Sequence, residues 1–316
     1  MIVTIGEALV DLIEHADGRF EACLGGSVCN FTLGLARQGA AVTYLNPIST
    51  DKFGQRFLAL LGENGVGLAS AASTRPTALA VVSLDAKGSP SYAFYREAVA
   101  DRDITVEELV AAMPARVQLL HTGGLALVPD DMDKVFSSLA AAKTRGALVS
   151  MDVNLRPLVV KARDAYIDGV RRAMGLAHIV KISDEDADVL GLAQPSARAL
   201  ADGLFRDSEL ELVAYTRGAH GAALLTRTAQ VALPVPRGLA VADTVGAGDC
   251  FHAGLIAFLQ RAGKLGATGD LAALDQATLQ GALRHAIAAA SLNIMRVGCD
   301  PASWEQTVQF QAEQVR

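Results

Sequence analysis

The stretch from Asp243 to Ile256 contains residue types that could bind an anion and accept a proton. It reads Asp-Thr-Val-Gly-Ala-Gly-Asp-Cys-Phe-His-Ala-Gly-Leu-Ile, with Gly246, Ala247 and Gly248 directly before Asp249. Residues with little or no side chain let the backbone turn tightly and approach a ligand. The apolar residues that follow predict a helix whose first N–H groups face an anion. Such donors stabilise a phosphoryl group in transfer by roughly 3 kcal/mol each.

Asp249 falls in the first turn of that predicted helix. The helix dipole favours a carboxylate at this end, so Asp249 should stay ionised and able to accept a proton from an alcohol. We therefore predict that Asp249 is a catalytic base beside a backbone anion site. Taken alone, these residues are equally well explained by a capping aspartate in a plain glycine turn.

Three other chemistries are disfavoured for the same stretch. The sequence has no G-x-x-x-x-G-K-[ST] run, which excludes a P-loop kinase. Gly246-Ala-Gly248 lacks the third glycine of a dinucleotide fingerprint and lies far from the first strand, where a nicotinamide-dependent oxidoreductase would carry it. Cys250 has His252 two residues away, and helical neighbours at that spacing do not face each other, which disfavours a cysteine nucleophile.

The composition predicts an acidic protein with a large core. Of the 316 residues, 51% are hydrophobic and 20% are charged, and the net charge is -6 with no basic block. Nucleic acid is therefore not an expected partner. Met1 to Gly6 predicts a first strand and not a signal peptide, and no apolar run reaches transmembrane length. With four scattered cysteines, the sequence favours a cytoplasmic protein with no membrane partner.

Apolar runs bounded by turn residues alternate with amphipathic stretches along most of the chain. The predicted strands are 2–6, 41–46, 117–121, 147–152, 178–182 and 211–216. The predicted helices lie near 30–38, 52–63, 131–143, 161–174, 196–205, 248–261 and 279–294. This alternation is typical of an α/β fold with a mostly parallel central sheet flanked by helices. We expect a single α/β domain over residues 1–316.

Two segments, 8–24 and 77–96, interrupt the alternation. In the second, two runs rich in β-forming residues flank the turn 85–88, which predicts a hairpin. We infer a small β-sheet appendage that is too small to be stable by itself. It must lean on the main domain, on a bound substrate or on the same appendage of a second subunit.

Two distant motifs resemble the signatures of the ribokinase-like (PfkB) carbohydrate kinases. Asp243 to Ile256 is similar to the second signature, and Gly25 to Asn30 (Gly-Gly-Ser-Val-Cys-Asn), followed by Gly39, is similar to the first. Asp51 to Gly54 also resembles the family's layout. The resemblance implies a doubly wound sheet of about eight or nine strands. It also implies a β-sheet lid over the sugar, often paired with a second subunit's lid, so a homodimer through the lid is expected.

The resemblance implies roles for individual residues. Asp249 would deprotonate a sugar hydroxyl, and the backbone at Gly246, Ala247 and Gly248 would form the anion hole. The sugar would be held by residues of the lid, the first signature and two further segments, namely Asp11, Gly25, Gly26, Asn30, Arg96, Asn154 and Arg156. Taken alone, Asp11 is better explained as a solvated strand residue and Asn30 as a helix cap. A surface ion pair is the alternative for each arginine.

ATP is the implied second substrate. The candidate nucleotide contacts are Lys181, Ser183, Thr216, Gly218, Gly221, Gly248 and Asn293. Magnesium is expected because phosphoryl transfer depends on neutralising the charge of a metal-bound triphosphate. Ser183 and Asp186 stand where the family has Asn and Glu, so Glu185 and Asp186 are both candidates for the magnesium shell. Asp243 and the Val245 carbonyl resemble part of a potassium site found in many members.

Three features narrow the choice of sugar. They are Tyr95-Arg96, Asp152 to Pro157 and Lys181, and all three resemble the fructokinase and 2-keto-3-deoxygluconate kinase branches more than ribokinases or nucleoside kinases. An arginine either grips a carboxylate bidentately or donates to hydroxyls, and the sequence leaves both open. Fructose is the favoured substrate, because Ser91 to Arg96 and Asn154 to Pro157 resemble bacterial fructokinases most. The alternative is 2-keto-3-deoxygluconate kinase or another PfkB sugar kinase. A catalytically silent sugar- or nucleotide-binding regulator is the alternative from another class, and Asp249 with its intact glycine turn argues against it.

Overall fold

The protein is described here from a computed structural model that covers residues 1–15, 17–84, 90–266 and 270–314. In chain order the strands in these residues are β1 (Ile2–Thr4), β2 (Leu9–Glu14), β3 (Phe20–Gly25), β4 (Val42–Tyr44), β5 (Gly67–Leu68), β6 (Ala78–Leu84), β7 (Pro90–Tyr95), β8 (Leu119–Gly123), β9 (Leu148–Asp152), β10 (Ile179–Ser183), β11 (Leu212–Thr216), β12 (Ala222–Leu225) and β13 (Gln230–Leu233). The helices are α1 (Ser27–Arg37), α2 (Lys52–Glu63), α3 (Val106–Ala112), α4 (Met132–Thr144), α5 (Arg163–Gly175), α6 (Asp184–Val189), α7 (Ala197–Phe205), α8 (Ala247–Arg261), α9 (Gln276–Ile294) and α10 (Trp304–Gln314). Within this part of the chain, no helix combines the length and the apolar character needed to cross a membrane.

The main sheet has nine strands in the order β13-β12-β11-β10-β9-β8-β1-β4-β5. Its strands from β11 to β5 are parallel, and β12 and β13 extend it as an antiparallel hairpin. Successive residues of a strand point to opposite faces, so Ile2 packs in the core beneath α1, α2, α8 and α9. Val3 packs in the second core beneath α3, α4, α5 and α7. Helices thus cover both faces, which confirms the predicted doubly wound α/β fold.

The smaller sheet has four strands in the order β3-β2-β6-β7. Its strands fall in the two segments in which the sequence predicted the β-sheet lid, and the predicted turn at 85–88 lies outside the described residues. At its base, Leu9, Ala78 and Ala80 pack with Leu125 and Val128, which follow β8. The lid sheet therefore leans on the main domain, one of the three supports that the sequence allowed.

Every strand and helix predicted from the alternation is present; α2 has the predicted bounds and the other elements have ends shifted by up to three residues. The sequence reading missed β5, β12 and β13 and the helices α3, α6 and α10. β5 has only two residues and β12 and β13 four each, too short for a period to be recognised. The seven-residue α3 does carry a sequence signal, since Thr105 and Glu108 form a capping box at its start.

The doubly wound arrangement brings the functional segments to one edge of the sheet. Asp152, Ser183 and Thr216 are the last residues of β9, β10 and β11, three neighbouring parallel strands. Ligands of open α/β sheets bind at this carboxyl edge. The edge faces the start of α8, which packs against α1 and α9.

Candidate active site

A cavity of about 1160 Å³ runs between the lid sheet and the carboxyl edge of the main sheet. One end is lined by lid residues, including Asp11, Cys23 and Val82. The other end is lined by the segments after β10 and β11 and by α9, including Thr216 and Ile294. Single-ligand pockets are usually about 300–1,000 Å³, so this cavity has room for two substrates end to end.

The start of α8 lies between the two ends of the cavity. Gly246 caps the helix with a left-handed φ of 73°, and an added Cβ there would meet the Cys299 side chain, with its Cβ at 2.7 Å. The Ala247 N–H donates to the Thr244 carbonyl at 3.2 Å and so closes the turn. In the described part of the chain, the N–H groups of Gly246, Gly248 and Asp249 have no acceptor. Unpaired N–H groups at a helix start form an anion site.

Asp249 lines the cavity although only 6% of its surface is exposed. Its Oδ1 accepts a hydrogen bond from the Ser27 hydroxyl at 2.7 Å, and its Oδ2 accepts one from the Asn30 amide at 2.9 Å. The helix cap is Gly246 and makes no side-chain hydrogen bond, so Asp249 is not the capping residue of the alternative interpretation.

The environment of Asp249 shifts its pKa upward. Burial raises the pKa of Asp249, while hydrogen bonds from Asn30 and Ser27 and the charges of Lys181 and Arg156 lower it, and the net direction is upward. Desolvation, which the sequence does not reveal, is the largest of these effects, and the expected ionisation of Asp249 stays a prediction. A carboxyl whose pKa is raised toward the working pH is the better general base.

Lys181 lies directly beneath the glycine turn. Its Nζ contacts Asp152 Oδ1 at 2.9 Å and Oδ2 at 3.0 Å, and both side chains are buried. Burial alone would lower the pKa of Lys181, but the charge of Asp152 raises it above its usual range, so Lys181 is a cation. A Cβ on Gly248 would meet this Nζ at 2.9 Å, which places a fixed positive charge against the anion site.

The predicted sugar residues at the lid end lie together. Asp11, Gly26, Asn30, Asn154 and Arg156 all line the cavity. Burial raises the pKa of Asp11 to about 6, against the lowering effect of Arg156. Arg156 is exposed and, among the described residues, has no carboxylate at ion-pair distance.

The two adjacent glycines of the first signature leave space that a side chain would fill. A Cβ on Gly25 would meet Asp11 Oδ2 at 2.6 Å. A Cβ on Gly26, whose φ is 100°, would meet the Glu7 carbonyl at the same distance. Gly25 thus gives the Asp11 carboxylate its room beside the cavity.

Arg96 is placed differently from the other predicted sugar residues. Its guanidinium donates to the Asp101 carboxylate and to the Leu125 carbonyl, each at 3.1 Å, and it is absent from the cavity lining. Burial and this ion pair hold the side chain under the base of the lid. Contact between Arg96 and a sugar would require it to leave Asp101, and its role in binding stays a prediction.

Most of the predicted nucleotide residues surround the far end of the cavity. The lining includes Lys181, Ser183, Thr216, Gly218, Gly221 and Gly248. Asn293 lies behind this wall and is fully buried, with its amide donating to the Val245 carbonyl at 2.7 Å and accepting from the Asp300 N–H at 3.0 Å. Asn293 therefore holds the loop before α8 in place, and its predicted contact with a nucleotide stays a prediction.

Two of the three candidate metal side chains, Asp186 and Asp243, already accept hydrogen bonds. Asp186 accepts from the Leu155 N–H through Oδ1 and from Ser183 through Oδ2, and so caps α6. Asp243 accepts from the N–H groups of Val245 and Gly298. Glu185 is exposed at the cavity. The described residues contain no cluster of three or more carboxylate, histidine or cysteine side chains arranged to hold a metal.

Sequence reasoning did not assign roles to three residues of this site. Ser27 donates to Asp249, Asp152 pairs with Lys181, and the buried Glu7 accepts from the Ser27 N–H at 3.0 Å. Ser27 and Asp152 lie inside motifs that the sequence made conspicuous, so both could have been found there. Glu7 lies after β1 and is not part of any sequence motif, so no sequence signal marks it.

Comparisons with known proteins agree with this geometry. The model of the family described as pfkB family carbohydrate kinase matches residues 1–306. A fructokinase of Rhizobium leguminosarum bv. trifolii is 33% identical over 285 residues, which cover 89% of this chain and 86% of that protein. The crystal structure of a Xylella fastidiosa fructokinase with bound ATP superposes with a TM-score of 0.87 at 29% identity, over 100% of this chain and 99% of that one. A Vibrio cholerae O395 fructokinase with fructose, ADP and calcium bound superposes with a TM-score of 0.79 at 28% identity, over 94% of each chain.

The fold and the site together define a phosphotransferase that acts on an alcohol. The chain belongs to the pfkB family of carbohydrate kinases.

Proposed function

We propose that this protein transfers the terminal phosphoryl group of ATP to fructose and forms fructose 6-phosphate. The observation that carries the proposal is the position of Asp249, between a polar lid end and the unpaired N–H groups at the start of α8, in one continuous cavity. Fructokinases from several organisms are among the similar proteins, and one of them was solved with fructose and ADP.

The proposed chemistry assigns one task to each part of the site. A primary hydroxyl held at the lid end gives its proton to Asp249 while its oxygen forms a bond to the terminal phosphorus of ATP. The bond from that phosphorus to the bridging oxygen breaks, and ADP leaves. The N–H groups of Gly246, Gly248 and Asp249, with the Lys181 ammonium, stabilise the charge on the transferred group.

Magnesium fits this site as an ion that enters with the nucleotide. Mg²⁺ usually keeps several waters and takes one or two carboxylates together with substrate phosphates. Asp184 and Glu185 line the nucleotide end and could supply that contact, whereas Asp186 is committed to capping α6. The bound ion would neutralise triphosphate charge. Potassium remains a candidate at Asp243 and the Val245 carbonyl, whose oxygens keep lone pairs beyond the hydrogen bonds they accept.

The test is an assay of ADP release with fructose, 2-keto-3-deoxygluconate, ribose and adenosine. Fructose should give the highest kcat/KM. If the keto-deoxy acid gives it instead, the exposed Arg156 binds a carboxylate and the fructose assignment is wrong. Binding of sugar and ATP without release of ADP would identify a silent regulator. Asp249→Asn should lower kcat by at least a thousandfold with little change in the Kd of the sugar, because the base acts in the transition state.

We further propose a cytoplasmic homodimer that contacts through the lid sheet. Phe20 and Tyr95 lie on the edge strands of that sheet and are 51% and 61% exposed. Exposed aromatic residues of this kind are enriched in subunit interfaces. All four cysteines are free thiols, which fits a reducing compartment. Sedimentation of the wild type against Phe20→Ser/Tyr95→Ser tests the dimer, which the double substitution should dissociate.

A further inference from the structure

Three polar side chains form a chain of hydrogen bonds that ends on the proposed base. The Asn154 amide donates to the Ser27 hydroxyl oxygen at 2.8 Å, and the Ser27 hydroxyl donates to Asp249 Oδ1 at 2.7 Å. Asn154 follows β9, Ser27 opens α1 and Asp249 lies in the first turn of α8. The chain therefore ties together three segments that are far apart in sequence, at the point where they line the cavity.

The direction of the chain is fixed by its two ends. An amide nitrogen can only donate, so Ser27 Oγ accepts from Asn154 and keeps its own hydrogen free for another acceptor. A carboxylate can only accept, so that hydrogen lies on Asp249 Oδ1. With Asn30 on Oδ2, each carboxylate oxygen is held by one neutral donor, and each keeps one lone pair for a substrate hydroxyl.

The first two members of the chain, Asn154 and Ser27, are fixed by features of their own backbone. The Ser27 N–H donates to the buried carboxylate of Glu7 at 3.0 Å, which fixes the start of α1. Asn154 has a φ of 37°, a left-handed conformation that non-glycine residues rarely adopt. Strained backbone of this kind persists only where the surroundings hold it, and it is concentrated at functional sites.

We propose that Ser27, oriented by Asn154, is a positioning residue that holds the Asp249 carboxylate in the orientation needed to accept the proton of the sugar hydroxyl. The inference rests on the proposed function for its catalytic consequence, but the hydrogen-bond chain can be tested without turnover. Ser27 contacts the base and not the reacting atoms, so its loss should change how Asp249 titrates as well as how fast the enzyme works.

The charged and titratable groups around Asp249 set the conditions of the test. They are Asp11 on β2, Cys29 on α1, Asp152 at the end of β9, Arg156 in the loop after β9, Lys181 on β10 and Cys299 in the loop after α9. None of them is altered by a substitution at Ser27. A donor to a carboxylate favours its ionised form, so removing the Ser27 hydroxyl should raise the pKa of Asp249 further.

The first measurement is the titration of Asp249 by ¹³C NMR, in protein labelled at the aspartate carboxyl carbons. Asp249→Asn identifies the resonance. Ser27→Ala should shift the titration to higher pH, and Ser27→Thr, which keeps the hydroxyl, should restore it. A double substitution Ser27→Ala/Asn154→Ala should titrate like Ser27→Ala alone, because both residues act through one hydrogen bond. Superposable wild-type and Ser27→Ala titrations would overturn the proposal.

The second measurement is the pH profile of kcat with the preferred sugar. A hydrogen bond to a charged group is worth about tenfold to a hundredfold in an equilibrium, so Ser27→Ala should lower kcat by about that factor at low pH. The acid limb of its profile should move to higher pH while the KM for ATP stays unchanged. Ser138→Ala is the matched control, since Ser138 is a buried helical serine whose hydroxyl has no partner among the described residues. An unshifted acid limb would overturn the positioning role.

The two measurements separate the two hypotheses. If the wild type phosphorylates none of the sugars but Ser27→Ala shifts the Asp249 titration, the proposed function fails and the hydrogen-bond chain stands. If the wild type is active and the titration is unmoved by Ser27→Ala, the function stands and the role of Ser27 fails.

Discussion

The Lys181 ammonium and the Asp152 carboxylate form a buried ion pair directly beneath Gly248, with Nζ 2.9 and 3.0 Å from the two carboxylate oxygens. The residues are adjacent across the parallel pairing of β9 and β10. The sheet register therefore holds the cation against the anion site before any nucleotide arrives. A charge that is fixed in advance costs no reorganisation when the phosphoryl group is transferred.

We predict that Lys181→Met destabilises the protein by about 3–5 kcal/mol, because Asp152 is then buried as an unpaired charge. Urea denaturation at pH 8 measures the loss. The double variant Lys181→Met/Asp152→Asn should recover at least half of it, since no lone charge remains, yet it should stay inactive. If the free energy of unfolding of Lys181→Met lies within 1 kcal/mol of the wild-type value, the ion pair does not stabilise the protein as predicted.

Strands and helices were predictable wherever a hydrophobic pattern extends over the whole element. The parallel strands β8 to β11 are mostly buried and each begins with two apolar residues, and helices such as α2 and α4 show one apolar face. The hairpin of β12 and β13 was not predictable by this means. Its four-residue strands are defined by pairing with β11, a tertiary contact that no local pattern records.

We expect Gly246→Ala to lower kcat about a hundredfold. Its left-handed φ of 73° disfavours any side chain, and the new Cβ would also collide with Cys299, which must push the anion site out of place. Gly263→Ala is the matched control, because its φ is 68° and nothing lies within 4 Å of the added Cβ. It should cost about 1–2 kcal/mol of stability and leave kcat unchanged.

The collision itself can be relieved by a second substitution. Gly246→Ala/Cys299→Gly removes the side chain that the new Cβ would strike, and it should recover part of the lost kcat. Equal kcat for the single and double variants would attribute the loss to backbone strain and not to the contact with Cys299.

Glu7 should make stability depend on pH. It is 2% exposed, and burial raises its pKa from 4.5 to about 7, although Arg96 lowers it. A carboxyl whose pKa is higher in the folded than in the unfolded state stabilises the fold. This stabilisation is fully present below pH 4.5 and is lost as the pH rises through about 7. The shift corresponds to about 3 kcal/mol.

Glu7→Gln removes this titration and keeps an acceptor for the Ser27 N–H. The free energy of unfolding of Glu7→Gln relative to the wild type should therefore rise between pH 5 and pH 8, by up to about 3 kcal/mol. Glu14→Gln, at an exposed position of the lid sheet, is the control and should show the same difference from the wild type at both pH values. A constant difference for Glu7→Gln as well would contradict the assignment.

The sequence predicted which segments of the chain line the candidate site, but not which side chains contact each other there. The two glycine motifs named residues that line one cavity, because both open helices at the carboxyl edge of the sheet. The hydrogen-bond partner that each side chain takes in the folded protein depends on differences in distance of a few tenths of an ångström. Arg96 lies by Asp101 and Asn293 lies behind the wall, and nothing in their sequence neighbourhoods separates these positions from the cavity. Asp186 is an exception, since Ser183-x-x-Asp186 is a recognisable capping box.

Sugar binding should weaken as the pH falls through about 6, because Asp11 lines the lid end of the cavity with its pKa raised to about 6 by burial. Above that pH its carboxylate accepts hydrogen bonds from sugar hydroxyls, and below it one oxygen becomes a donor. Calorimetric titration of fructose between pH 5 and 8 should show the Kd rising toward low pH by about tenfold. Asp11→Asn should bind fructose weakly at every pH, whereas Asp17→Asn, an exposed change in the turn between β2 and β3, should follow the wild type. A pH-dependent Kd that persists in Asp11→Asn would assign the titration to another group and remove Asp11 from the sugar site.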